Sequence, residues 1–446
     1  MYTSNELQDI YASIFKESKA DETEVLFSEH ESATTRFSNN VITQNLAQKN
    51  KSLSIKVIDS KCIGVAETND FSQSSLLETL EKAIQSASYQ KSRDDIQTLT
   101  GPQEYKELHN FDESSAFLDP VEKAEWVKKA VQKAQTENCI SSGIISNGWK
   151  GHSMGNSRGL FAYHKYSEID FNLSLEKGEA TGWYEQSSWK LSDINLDNII
   201  ERALNTTLMS ESPIDLDPGD YTVVLSPEAV GELLYFLAFA GLATQDIVEK
   251  ANYFQDKLGQ KVFSGKLTIL DDASHPLSAG LPFDFEGMPR EKVTLIEKGV
   301  FKDMVLDRRL AQDLNRKSTG HSLPQPNSYG PLPLNLIMEH GGQSMKDMIA
   351  STDHGLFVNR FHYTNLLDPM TLNLTGMTRD GLFLIQHGKI TQPVRNFRFT
   401  ESLVKAFNEL EAIENRSTYI RSFFGGGFVV SGLKINRFHF SSKTGF

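Results

Sequence analysis

The chain has 446 residues, of which 39% are hydrophobic and 23% charged, a balance typical of a globular protein with a substantial core. Its formal net charge of -13 argues against an extended nucleic-acid surface, because such a surface requires clustered Lys and Arg. Cys62 and Cys139 lie far apart and belong to no metal-binding or disulfide motif. No signal-peptide pattern and no long apolar run occurs, so we expect a cytoplasmic protein that does not enter a membrane.

The N-terminal part of the chain repeats one plan, a helix, a set of strands and a second helix. Apolar residues three and four positions apart predict the helices Ser4–Ser18 and Ser74–Ser88 in the first unit, and Pro120–Asn138 and Asp193–Thr206 in the second. Alternating residues predict short antiparallel strands at Glu24–Ser28, Thr34–Phe37, Val41–Gln48, Leu53–Asp59, Gly64–Glu67, Ser141–Asn147, Gly151–Asn156, Gly159–Tyr166 and Ile169–Glu176. Gln90–Phe111 is polar and is interpreted as a linker.

The segment Ser210–Gly219 contains two prolines and is the best domain boundary in the sequence, so we predict one domain over 1–212 and another over 213–446. The second domain is rich in strands, predicted at Leu267–Asp271, Val293–Glu297, Val300–Val305, Leu356–Tyr363, Met370–Gly376, Gly381–Gln386, Val394–Thr400 and Phe428–Phe440. Short helices are predicted at Met345–Ala350 and Ser402–Ala412, and a proline-rich loop at Gly320–Pro333. The predicted fold class is α+β, an N-terminal α/β domain of two similar helix-plus-antiparallel-sheet halves followed by a β-rich C-terminal domain with a buried helix.

That buried helix follows the strand Tyr221–Leu225. Ser226 provides an N-cap, and Pro227 suits the first helical position. From Gly231 to Leu242 the sequence is apolar almost all round, without a polar stripe, which predicts a core helix. A metal-dependent hydrolase would carry His and Glu on such a helix, because zinc needs imidazole ligands and a nearby base.

Six blocks along the chain, in the same order, resemble the TldD and TldE/PmbA family, known as modulators of DNA gyrase. The blocks are Thr35–Gln44, Asn156–Leu160, Phe283–Asp303, Thr319–His321, Leu374–Ile390 and Pro393–Leu403. The resemblance implies a two-domain protein. It also implies that this protein is one subunit of a protease in which a TldD-like chain pairs with a TldE-like chain and trims unfolded peptides. In that pair the TldD-like chain binds zinc through an HExxxH helix and a later cysteine.

At the positions that align with this HExxxH motif, the present chain has Tyr235, Phe236 and Ala240, and Phe423–Gly432 brings no cysteine. Phenylalanine and alanine have no lone pair for a metal, and tyrosine is a rare zinc ligand. The resemblance therefore implies a non-catalytic TldE/PmbA-like subunit that has no cofactor of its own and no assigned catalytic or metal-binding residue. We expect zinc in a TldD-like partner and an extended peptide as substrate. The chain is expected to form a heteromer with that partner or to associate with itself.

A few other residues remain candidates. His321 lies where the proline-rich loop begins and either faces a peptide channel or is an ordinary hydrogen-bonding loop histidine. Arg379 and Asp380 either form an internal ion pair that fixes a hairpin or contact the partner. Asp284 and Glu286 lie among turn residues, where acids are usually solvated.

Two alternatives to the partner-subunit hypothesis stay open on the sequence. One is a hydrolase with a relocated active site, using His321 with Asp380 or Glu286. The other is a non-enzymatic homodimer that regulates another protein. The glycines Gly425–Gly427 are followed by valines and do not form a phosphate-binding loop.

Overall fold

The computed structural model describes residues 1–421 and 426–444, and its N-terminal part is one antiparallel sheet covered by helices. The strands are β1 Glu22–Ser38, β2 Val41–Asp59, β3 Cys62–Thr68, β4 Ile140–Asn156, β5 Phe161–Lys177 and β6 Ala180–Ser188. The helices are α1 Ser4–Glu17, α2 Gln73–Ser88, α3 Glu113–Ala116, α4 Pro120–Thr136 and α5 Leu196–Met209. The strand order β3-β2-β1-β4-β5-β6 joins two three-stranded halves through β1 and β4, which confirms the predicted pair of similar halves.

The strands of this sheet are longer than predicted. The segments Ser141–Asn147 and Gly151–Asn156 were expected as two strands, but they are parts of β4. The glycine between them, Gly148, supports a close backbone approach and not a turn, since a Cβ there would lie 2.1 Å from the carbonyl oxygen of Glu31. Asn39 has a positive φ of 52°, which suits its place in the turn between β1 and β2.

Two further sheets form the C-terminal part. Their strands are β7 Gly219–Leu225, β8 Ile269–Asp271, β9 Val293–Glu297, β10 Val300–Phe301, β11 Leu336–Met338, β12 His354–Asp368, β13 Asn373–Gln386, β14 Lys389–Pro393, β15 Phe397–Ser402, β16 Leu410–Ile413, β17 Thr418–Arg421, β18 Gly427–Val430 and β19 Leu433–Lys443. The helices are α6 Pro227–Phe236, α7 Thr244–Val248, α8 Arg308–Asp313, α9 Met345–Ala350 and α10 Leu403–Asn408. One sheet has the order β10-β9-β8-β11-β18-β17, and the other has the order β12-β7-β19-β15-β13-β14 with an additional β12–β13 pairing.

Several C-terminal predictions need correction. The predicted helix Ser402–Ala412 ends at Asn408 and is followed by β16. The segment Phe428–Phe440 was predicted as paired strands, but β18 and β19 belong to different sheets. The predicted helix Met345–Ala350 is confirmed as α9. The predicted boundary after residue 212 falls between α5 and β7.

The largest hydrophobic core lies in the C-terminal part, around α6 and the two sheets. It includes Leu233 and Leu234 of α6, which are 1% and 0% exposed, and it continues into aromatic residues of β15 and β19. Within residues 1–421 and 426–444, no helix combines the length and apolar character that crossing a membrane would require.

Candidate functional site: an interdomain cleft

Helix α6 is fixed at both ends. At its start the Ser226 hydroxyl accepts a hydrogen bond from the backbone N–H of Ala229 at 3.2 Å and donates to the carbonyl oxygen of Asn359 in β12. The regular helix ends at Phe236 and continues as one π-helical turn over Leu237–Gly241. Single π turns are often found at functional sites, because they change which side chains share a helix face.

One face of α6 is open to a cleft. Glu228, Gly231, Glu232 and Tyr235 follow one another at spacings of three, one and three positions, so they lie on the same side of the helix. The helix is buried in the core as predicted, but the expectation that it lacks a polar stripe is wrong, because these residues line a cavity of about 820 Å³. The opposite wall comes from the N-terminal sheet, and the cavity therefore lies between the domains, a common location for ligand sites.

The other walls of the cleft come from three strands. Strand β6 contributes alternate residues, Trp183, Glu185 and Ser187, which point to one side because side chains alternate along a strand. Strand β12 contributes Arg360 to Asn365, and β17 contributes Tyr419 to Arg421. Aromatic rings therefore lie beside charged groups on more than one wall.

Both arginines of the cleft already have carboxylate partners. Arg360 Nε lies 2.7 Å from Asp380 Oδ2, and the guanidinium carbon lies 4.3 Å from the centre of the Trp183 ring. Arg421 Nη1 lies 2.5 Å from Asp170 Oδ1, and its Nη2 lies 3.3 Å from Glu168 Oε2. Both guanidinium groups are thus held in ion pairs with carboxylates outside the cleft lining, although the charge of Arg360 also acts on Glu232 and that of Arg421 on Glu185.

Three carboxylates of the cleft have no cationic partner among the described residues, namely Glu185, Glu228 and Glu232. Glu228 is only 7% exposed, and neither of its oxygens has a hydrogen-bond partner. Glu185 accepts one hydrogen bond, from the Ser187 hydroxyl at 3.2 Å. Burial, followed by the negative charge of Asp170, raises the pKa of Glu185 to about 7, and the charge of Glu228 adds to this shift. Burial also raises the pKa of Glu232.

The three positions expected to be vacated by zinc ligands lie at or near this cleft. Tyr235 and Phe236 line it, and Ala240 is buried in the π turn. Burial, with the charge of Glu232, raises the pKa of Tyr235 to about 12, so the phenol keeps its proton at neutral pH. Phe236 and Ala240 have no donor atom, so these three residues do not fit a zinc ion. Of the segment Phe423–Gly432, residues 423–425 lie outside the described residues, as does Gly425 of the glycine run.

Among the described residues, no group of three or more His, Cys, Asp or Glu side chains is arranged so that it could hold a metal. The cleft offers carboxylates, guanidinium groups, an imidazole and aromatic rings. Such groups can bind and orient a ligand without any cofactor.

His321 does not face a channel, which corrects that hypothesis. Its side chain is 0% exposed, and its Nε2 lies 2.9 Å from Oδ1 of the equally buried Asp271. Arg290 Nη2 lies 3.0 Å from the same oxygen. The Nδ1 atom of His321 lies 2.8 Å from the carbonyl oxygen of Thr319. The proposed pairing of His321 with Asp380 or Glu286 is not formed, because Asp271 takes that place.

The remaining sequence candidates have structural roles. Asp380 does form an internal ion pair across the β12–β13 pairing, but its main partner is Arg360, whereas Arg379 Nε lies 3.8 Å away. The expectation that Asp284 and Glu286 are solvated is wrong. Asp284 is 2% exposed and accepts the backbone N–H of Ser322 at 2.9 Å. Burial raises the pKa of Asp284 to about 6 and that of Glu286 to about 7.

Sequence reasoning missed the acids of the cleft. Glu228 and Glu232 are four positions apart on an otherwise apolar helix, and this spacing was a usable signal. Glu185 had none, because the strand that carries it, β6, was not predicted. Its place opposite α6 depends on how the two domains pack.

Comparisons with known proteins agree with this architecture. The family descriptions "PmbA/TldA metallopeptidase C-terminal domain" and "PmbA/TldA metallopeptidase domain 1" match residues 218–437 and 23–87. A two-domain α+β protein with an interdomain cleft is thus the class defined by the fold. The chain belongs to the PmbA/TldD family.

Several of its relatives carry metalloprotease names. The chain is 26% identical over 250 residues to a metalloprotease TldD homolog from Buchnera aphidicola, a match that covers 55% of this chain and 49% of that protein. It is 25% identical over 382 residues to metalloprotease PmbA from Escherichia coli O157:H7, covering 81% of this chain and 80% of that protein. The chain spans about half the length of the TldD relatives it matches.

Solved structures confirm the fold class. TldE from Thermococcus kodakarensis has a TM-score of 0.86 at 20% identity and covers 98% of this chain and 99% of its own. A protein from Thermotoga maritima described as a modulator of a DNA gyrase has a TM-score of 0.87 at 17% identity and covers 98% of this chain and 100% of its own. At these identities the likeness shows the fold alone.

Proposed function

We propose that this chain is a cytoplasmic, metal-free TldE/PmbA-like subunit that pairs with a zinc-bearing TldD-like chain in a protease acting on unfolded peptides. The observation that carries the proposal is the set Tyr235, Phe236 and Ala240, which supplies neither a zinc ligand nor a general base where the family resemblance places the HExxxH motif. The protease names of its relatives support the reaction class.

In this proposal the subunit contributes a wall of the peptide channel. The cleft between β6 and α6 has the size and the mixed aromatic and polar lining of a peptide site. Strand β6 is an edge strand: in the described part of the chain its one neighbour within the sheet is β5, and it lies beside the cleft. Peptides commonly bind in an extended conformation along an edge strand.

The proposal is tested with the purified full-length chain, alone and mixed with a TldD-like chain from the same source. Elemental analysis of the lone chain is expected to find less than one zinc per ten chains, and casein is expected to stay intact. Adding the TldD-like chain should produce casein cleavage that a chelator abolishes, and light scattering should show a heteromer. Chelator-sensitive cleavage by the lone chain would overturn the proposal. So would a homodimer that does not bind the TldD-like chain.

A further inference from the structure

The charges around the interdomain cleft do not balance. The lining contains two arginines, each paired with a carboxylate outside the lining set, and three carboxylates without a cationic partner among the described residues. His362, which also lines the cleft, adds no positive charge at neutral pH, because burial and the charge of Arg360 lower its pKa. The cleft therefore has an excess of negative charge.

Glu228 is the member of this group that points most directly to a ligand. It is more than nine-tenths buried, it lines the cleft, and both of its oxygens lack a hydrogen-bond partner. A buried carboxylate without a partner is costly, and native proteins rarely keep one unless a ligand, ion or water satisfies it. Glu185 and Glu232 line the same cavity as Glu228, and the charge of Glu228 acts on Glu185.

We infer that the cleft binds a cationic side chain, the guanidinium or ammonium group of an arginine or lysine in an extended peptide, between Glu185, Glu228 and Glu232. The inference rests on the proposed function, because it names the kind of residue that the peptide channel selects. The charged head contacts the carboxylates, and the aliphatic stem packs on aromatic rings of the same walls. Trp183 and Tyr235 provide such rings. The contact between Arg360 and the Trp183 ring is an example of this geometry on the same wall.

The experiment compares two peptides that differ in one charge. A fluorescently labelled, N-acetylated and C-amidated hexapeptide with one central arginine among alanines is titrated with the full-length chain. The same peptide with citrulline keeps the shape and loses the charge. We expect the citrulline peptide to bind at least tenfold more weakly. Equal affinity for the two peptides would overturn the inference.

Variants locate the site. E228Q and E185Q keep the size of the side chain, and each is expected to weaken binding of the arginine peptide at least tenfold. The matched control is E401Q, because Glu401 is 8% exposed, similar to Glu228, but lies outside the cleft and accepts backbone N–H groups of Ser402 and His439. E401Q should bind the peptide with unchanged affinity. Urea unfolding of each variant confirms that it is folded, and unchanged binding by both folded cleft variants would refute the assignment.

Two further arms separate the outcomes. In one arm, spermidine competes with the labelled peptide. If spermidine binds with the same dissociation constant as the peptide, the peptide part of the inference is overturned, because the cleft would then bind any amine. Casein cleavage with the TldD-like chain reports on the proposed function separately. Cleavage by the mixture with no preference for arginine contradicts only the inference, whereas charge-selective binding without pairing contradicts only the proposed function.

Discussion

Two of the groups of buried charges in this molecule differ in how they are satisfied. In the C-terminal core, which we call the buried triad, Asp271 contacts Arg290 and His321, and its second oxygen accepts the backbone N–H of Asn335 at 2.8 Å. Burial alone would raise the pKa of Asp271, but the charges of Arg290 and His321 hold it well below its usual range. In the cleft, by contrast, neither carboxylate oxygen of Glu228 has a hydrogen-bond partner among the described residues.

The difference separates a structural role from a binding role. A buried charge whose partners are all supplied by the fold stabilises one arrangement of the chain and leaves nothing for a ligand. A buried charge that lacks partners costs stability in the free protein, and a ligand of opposite charge can recover that cost. The buried triad therefore belongs to the fold, and the carboxylates of the cleft belong to the site.

The largest expected effect is on the buried triad. D271N removes the charge that faces Arg290 while keeping the side-chain shape, and we expect the free energy of unfolding to fall by about 3 to 5 kcal/mol at pH 7. Urea denaturation followed by circular dichroism measures this change. The control is E125Q, which breaks the exposed pair with Lys128 and should change stability by less than about 0.5 kcal/mol. A similar small loss for D271N would contradict the structural role of the triad.

The pH dependence of stability should have opposite signs in the two regions. The raised pKa of Glu185, about 7, means that the folded protein holds this proton more tightly than the unfolded chain. Its contribution is present below about pH 4.5 and is lost as the pH rises through 7, whereas that of Asp271, with its lowered pKa, is lost as the pH falls below about 4.

The variant E185Q isolates the contribution of the cleft. Between pH 5 and pH 8 the unliganded wild-type chain should lose about 1 to 2 kcal/mol of unfolding free energy relative to E185Q, a value discounted because Glu185 is partly exposed. Urea denaturation at both pH values gives the difference. Parallel pH profiles for the two proteins would show that this carboxyl is solvated in the folded state.

The smallest effect is expected for E228Q. No hydrogen bond of the described residues is lost, and the cost of burying a charge is removed, so the free energy of unfolding should stay the same or rise by up to about 1 kcal/mol. Thermal and urea unfolding at pH 7 measure the change. A loss of more than about 2 kcal/mol would mean that the fold itself supplies a partner for Glu228.

The sequence predicted the helical framework well, because that signal is local. The apolar spacing in Ser4–Ser18 and Ser74–Ser88 depends on neighbours within one or two turns, and α1 and α2 follow it closely. The helix Met345–Ala350 was also predicted with the observed bounds. The lengths of the strands could not be predicted from local sequence. Glycines that suggest turns instead permit close packing of neighbouring strands in the sheet.

The candidate site shows where local reasoning ended. The sequence identified α6 as the central helix and the residues that cannot bind zinc, but it described the helix as uniformly apolar and overlooked Glu228 and Glu232. It singled out His321, which a tertiary contact with Asp271, fifty positions away in the chain, places in the interior. Histidine in a loop has the same sequence signature whether its side chain is buried or exposed.

By itself, then, the sequence determined the α+β class, the repeated helix-and-sheet plan and the absence of zinc ligands at positions 235, 236 and 240. The fold class and the repeated plan follow from residue type and short-range periodicity, whereas the three positions were identified through the family resemblance. Only the tertiary structure decided that β6 lies opposite α6 and that the acids of the cleft lack counter-charges while Asp271 has them. Burial and charge pairing depend on groups brought together from distant parts of the chain, and no local pattern records which groups will meet.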